Sequence, residues 1–191
     1  MQLANQTFYI AIFIVLVGLM ARFLANKDDD RAQFRVIYWP AGLSFLAASM
    51  LSFALAPWGG KIVLAFANLS LLAGIANISL LFSFWNDSLR RSTKLIVGAL
   101  IVASSLVYLY LLTFGTTQDR IHLMNTVLSI LCIWQIATLI QLLKKDNAYQ
   151  IKLLLGVELF QLGARIIRSL LALGEVSHPG TLYQEDGLAF A

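Results

Sequence analysis

The chain has 191 residues, of which 59% are hydrophobic and only 13% charged, with a mean hydropathy of +0.78 and a net charge of +4. A soluble domain needs a charged surface that this composition cannot supply, and the apolar runs are continuous rather than alternating, which excludes a transmembrane barrel. The basic balance reads as loop charge on a membrane protein, and no nucleic-acid partner is expected.

Several windows reach the ~20 apolar residues that cross ~30 Å of hydrocarbon as a helix. The expected fold is an all-α, polytopic transmembrane helix bundle with six spans, at about 7–25, 36–58, 61–85, 95–114, 121–143 and 153–173. Residues 1–174 form one membrane domain, and 175–191 an external tail and the start of a seventh span. The first run, "FYIAIFIVLVGLMARFLA", follows a leader without Lys or Arg and is longer than a signal-peptide core, so it reads as a retained span. A polar connection, "NKDDDRAQFR", leads to the second span, which ends in "APWGG", a Pro and two glycines predicting a tight turn into the third. The later connections are "NDSLRRSTK", "GTTQDRIH" and "KKDNAYQIK". The first three spans do not repeat in the last three, so a transporter built from inverted repeats gains no support.

Charge sets the expected orientation. The first, third and fifth connections hold ten Lys and Arg, and the second and fourth only Lys61 and Arg120. The odd connections are therefore expected in the cytoplasm, with the N-terminus and the segment after Gly174 outside. Trp39 and Trp85 fall at the predicted cytoplasmic interface and Trp58 at the outer one, as amphipathic anchors. Trp134 lies inside the fifth span, as does Cys132, which is alone and so forms no disulfide within the chain.

The sixth span, "GVELFQLGARIIRSLLALG", carries three charges. Glu158, Gln161, Arg165 and Arg168 are spaced 3, 4 and 3 apart and share one helical face. Three central charges in lipid would cost ~7–10 kcal/mol, against ~4–7 kcal/mol recovered from the helix's Leu, Ile, Val and Phe. The stripe must therefore face neighbours. Asn68, Tyr108 and Asn125 lie at the depth of Arg165 and Arg168, while Asn77, Gln135 and Thr138 lie nearer Glu158. Intramembrane charge is expensive and marks function, whereas Asn and Gln inside spans often join helices. The candidate ligand-binding set is Glu158, Gln161, Arg165, Arg168, Asn68, Tyr108 and Asn125, suited to a small anionic or carbonyl-bearing ligand. His122 and His178 with the acidic tail match no zinc spacing. No catalytic set, metal site or cofactor motif is predicted, and a homodimer is compatible with the pattern.

The layout resembles a family. "YWPAG" opens the second span, and a short turn precedes "VLAFANLSLLAGIANISLLFSFW". A basic loop, two further spans and a sixth ending in "ARIIRSLLAL" follow. This resembles the N-terminal multi-helix membrane sensor regions of bacterial signalling proteins, particularly GGDEF-type diguanylate cyclases and some histidine kinases. One departure is that "LFSFWND" lacks the basic ending of such third spans, and Arg90–Arg91 follow it instead. The resemblance implies an input domain in the bacterial inner membrane, in contact with membrane lipids. Its ligand signal would pass to a cytoplasmic output domain beyond Ala191, a diguanylate cyclase first and a histidine kinase next. The alternative is a stand-alone six-helix transporter, channel or assembly protein.

Overall fold

The computed structural model describes residues 2–25 and 37–175, with side chains for 6–22 and 37–167. These residues are all-α: α1 (Gln2–Ala25), α2 (Tyr38–Trp85), α3 (Arg91–Phe114), α4 (Thr117–Lys145) and α5 (Tyr149–Glu175). Among them α2, α3 and α4 are long and apolar enough to cross a membrane, and Gln6–Arg22 of α1 is a shorter apolar segment. The expected tail beyond Glu175, the "DDD" connection and His178 lie outside the described residues.

The 48 residues of α2 are two helical arms rather than one rod. Gly60, with φ 61° and ψ −152°, breaks the helical backbone between them, a conformation essentially reserved for glycine. Pro57, just before it, has no N–H to donate and helps to end the first arm. The arms fold back on each other. A Cβ placed on Gly42 would meet Ile78 at 3.2 Å and the Gly74 carbonyl at 3.4 Å, and one on Gly74 would meet the Leu46 side chain at 2.8 Å. The two glycines thus let the backbones approach closely, in the manner of small residues at membrane helix interfaces. The "APWGG" turn is accordingly where the sequence puts it.

The helices after α2 follow one another by short connections. α1 packs on the first arm of α2, with Tyr9 stacked on Phe53 at 5.4 Å between ring centres. At the end of α2 the chain turns through Asn86 and Asp87, and Asp87 takes a positive φ of 56°, a conformation that Asp and Asn tolerate better than most residues. α3 buries only a stripe, Val97, Ser104 and Tyr108, against α2 and α4. α4 starts at a capping box: the Thr116 hydroxyl accepts from the Asp119 amide, and the Asp119 carboxylate accepts from the Thr116 amide. α4 is the central helix, packed on α2, α3 and α5, whereas α5 packs its backbone on α4 alone among the described elements.

One core of Ala65, Leu72, Ala76, Val97, Tyr108, Met124, Val127, Leu128 and Leu131 joins α2, α3 and α4, with Trp134 packed against it. A smaller cluster of Phe82, Leu139 and Ile151 joins α2, α4 and α5. Much of the exterior is apolar too: Ile62, Phe66, Leu95, Val102, Leu106, Ile133, Phe160 and Ile167 are all exposed. Exposed apolar surface on this scale needs a cover, and α2, α3 and α4 have the length and composition to cross hydrocarbon.

Candidate functional site

The stripe on α5 faces the bundle. Glu158 is 8% exposed, Gln161 and Arg165 are half-buried, and Val157, Leu159, Phe160, Ile166 and Ile167 around them are exposed. Arg168 lies on the same helix, and its side chain is outside the described residues. The helix therefore turns its apolar side outward and its polar side to α4, the rotation that the insertion energetics favour.

Two contacts fix the register of α4 on α5. The Asn125 side-chain amide donates to the Arg165 carbonyl at 3.2 Å. Two turns further along α4, the Cys132 thiol donates to the Glu158 carbonyl at 3.3 Å and lies 3.4 Å from its carboxylate Oε2. Cys132 is 2% exposed. Arg165, two turns from Glu158 on the same helix, is half-buried. A carboxyl, a thiol, an amide and a guanidinium thus line one antiparallel seam.

Asn68 and Tyr108 form a separate contact, between α2 and α3. The Asn68 amide donates to the Tyr108 hydroxyl at 3.0 Å and to the Leu64 carbonyl at 2.9 Å, and both side chains are buried. The second arm of α2 runs parallel to α4, since Gln135 reaches Ile75 and Ser79 while Gln141 reaches Asn86. That register places Asn68 at the height of Asn125. The four side chains Asn68, Tyr108, Asn125 and Arg165 therefore share a level, joined as two pairs.

The neighbours expected near Glu158 do other work. Gln135 is 1% exposed and donates to the Ile75 carbonyl at 3.1 Å and the Ser79 hydroxyl at 2.8 Å, tying α4 to α2. Asn77 donates to the Ala73 carbonyl within its own helix, and Thr138 to the Trp134 carbonyl within its own. Cys132 takes the place beside Glu158 instead. Its signal was available: in an antiparallel pair the facing residue numbers have a constant sum, and Asn125 with Arg165 gives the same sum as Cys132 with Glu158.

The cations sort by end. Arg22, Arg90, Arg91, Lys94, Lys144, Lys145 and Lys152 lie where α1 and α4 end and α3 and α5 begin, and Lys61 and Arg120 lie at the other end. At the basic end the Lys145 ammonium donates to the Asn86 carbonyl at 2.9 Å and lies 3.7 Å from the Asp87 carboxylate. Trp39 and Trp85 are at this end, and Trp58, 74% exposed, is at the opposite one.

Comparison with protein-family models, with characterised proteins and with solved structures finds no match.

Proposed function

We propose that the chain is a membrane-embedded input domain of a bacterial signalling protein, crossing the inner membrane six times with its N-terminus outside. In this reading α2 supplies two spans, one per arm, and the basic end of the bundle faces the cytoplasm. The strongest support is the seam between α4 and α5, where ionisable Glu158 and Arg165 lie inward on a helix whose backbone packs on α4 alone among the described elements.

The mechanism follows from that arrangement. A small ligand bearing a carboxylate or carbonyl would be recognised by Arg165 and Arg168, with Gln161 and Asn125 donating to it and Asn68 and Tyr108 at the same level. Such a ligand draws the guanidinium away from the Glu158 carboxyl and so changes the balance of charge in the seam. The only equilibrium a ligand can shift is one between states that it binds differently. Here those states are two packings of α5 on α4. The segment after α5 carries that bias to a cytoplasmic output domain, a diguanylate cyclase first and a histidine kinase second.

Two experiments test this reading. Single cysteines at Lys27, Arg91 and Lys145, in a Cys132→Ala background, should be reached by impermeant maleimide only after the cells are opened, whereas one near the N-terminus should react in intact cells. The opposite labelling overturns the orientation. In the full-length gene product, Arg165→Leu should abolish the output's response while leaving insertion unchanged. A coding sequence that stops at Ala191 removes the input-domain reading in favour of a stand-alone membrane protein.

A further inference from the structure

The basic end of the bundle is more than an orientation signal. Seven exposed cations stand there against two carboxylates, Asp87 and Asp146, among the described residues. They are not equivalent. Lys145 is held by the Asn86 carbonyl and Asp87, whereas Arg90, Arg91 and Lys94 converge on the first turn of α3. Lys94 is four residues from Arg90 and three from Arg91, so the three side chains rise on one side of the helix start. Like charges at that spacing repel, and they stand at the end of the helix where the backbone dipole is already positive. No acidic residue occupies that first turn, and no side chain caps it. At the other end of the molecule α4 begins with Thr116 and Asp119 closing on each other, so the fold neutralises one helix start and crowds cations on the other.

The surroundings identify what relieves that crowding. Leu95 and Ile96 follow Lys94 directly and are exposed, and Trp85 and Tyr149 expose their rings at the same end. The cations therefore stand on the border between the apolar exterior and water, with aromatic side chains of the kind that settle at headgroup level. A ligand that fits this border carries an anionic phosphate at its head and hydrocarbon below it. We propose that Arg90, Arg91 and Lys94 form a surface that binds the phosphodiester headgroups of anionic phospholipids in preference to zwitterionic ones, with the acyl chains lying on Leu95 and Ile96. This rests on the membrane reading above. Lys145 takes no part, because its charge is already engaged.

The test uses the full chain in nanodiscs made from equal amounts of phosphatidylglycerol and phosphatidylcholine, with the lipids that stay bound counted by native mass spectrometry. The expected result is a several-fold excess of retained phosphatidylglycerol, brought close to parity by the triple change Arg90→Gln, Arg91→Gln and Lys94→Gln. Lys145→Gln should leave the excess in place. Cysteine labelling confirms that each variant keeps its orientation, and a triple variant that fails to insert is replaced by the single changes, whose excess should fall in steps. An unchanged excess in correctly inserted triple or single variants overturns the proposal. So does a wild-type excess that inorganic phosphate abolishes, which would assign the surface to a free anion. If the wild-type chain does not enter bilayers at all, the membrane reading falls and takes the proposal with it. Insertion without lipid preference overturns the proposal alone.

Discussion

The hydroxyl of Tyr108 offers a one-atom test of how this bundle is held together. Tyr108→Phe keeps the ring that fills the core between α2, α3 and α4 and deletes only the acceptor that Asn68 uses at 3.0 Å. Asn68 is not stranded by the change, because the same amide also donates to the Leu64 carbonyl at 2.9 Å. The loss is therefore that of one interhelical hydrogen bond, without the full penalty of an orphaned buried donor. Such bonds inside membrane proteins average ~0.6 kcal/mol and reach ~1.7 kcal/mol. An expected loss of ~0.5–1.5 kcal/mol corresponds to roughly a 2- to 13-fold change in the unfolding constant. Steric trapping in bicelles measures that constant directly, and a double-mutant cycle with Asn68→Ala isolates the pair. A coupling energy indistinguishable from zero would refute the view that this contact joins α2 to α3. A loss above ~3 kcal/mol would also count against it, since a single bond cannot supply that much.

Three further outcomes are expected. Gly60→Ala places a Cβ in open space but forces an alanine into a φ of 61°, so it should cost ~1–3 kcal/mol by backbone strain alone in the same unfolding assay. Gly74→Ala keeps ordinary helical angles but drives its Cβ to 2.8 Å from the Leu46 side chain and 3.1 Å from its backbone nitrogen. Overpacking of this kind costs ~1–3 kcal/mol, and the loss should appear in the same unfolding assay. The Thr116 amide, and then the Thr116 hydroxyl, hold the Asp119 carboxyl below its ordinary value of 3.8. A carboxyl lowered on folding contributes stability above its unfolded value and loses it as pH falls through the folded one. The protection of amides at the start of α4, after correction for intrinsic exchange, should therefore be flat from neutral pH down to the ordinary carboxylate range and fall only below it. Asp119→Asn should remove that acid step, and an unchanged step in the variant would assign it elsewhere.

Much of this architecture was legible in the sequence. The expected segments 61–85, 95–114 and 121–143 sit within the second arm of α2, α3 and α4, because an apolar run and its polar borders fix where a helix starts and stops. The reversal at "APWGG" was legible for a similar reason, since Gly60 tolerates a backbone that other residues resist. The inward rotation of α5 followed from the cost of turning Glu158 and Arg165 to lipid. Pairing was harder to read. Hydropathy gives the length and depth of a helix but neither its neighbours nor its rotation against them, so the shared depth of Gln135 and Glu158 does not reveal that Gln135 turns to Ile75 and Ser79. A lone cysteine says nothing in sequence beyond its lack of a disulfide partner, and the role of Cys132 depends on the α5 residue that antiparallel packing brings opposite it.

Several polar side chains of α2 close on their own helix: Ser52 on Ala48, Asn77 on Ala73, Ser79 on Ile75 and Ser83 on Ser79. Each donor finds a carbonyl one turn back, so these groups need no other helix to be satisfied. The two arms also meet through Gly42 and Gly74, within a single continuous stretch of chain. These four donors thus place no demand on α3 or α4, and the hairpin presents them already satisfied. By contrast, the contacts of Tyr108 with Asn68, Gln135 with Ser79 and Gln141 with Asn86 join α2 to residues that come later in the chain. The polar contacts from α3 and α4 thus add to a hairpin whose arms already meet within one stretch of chain.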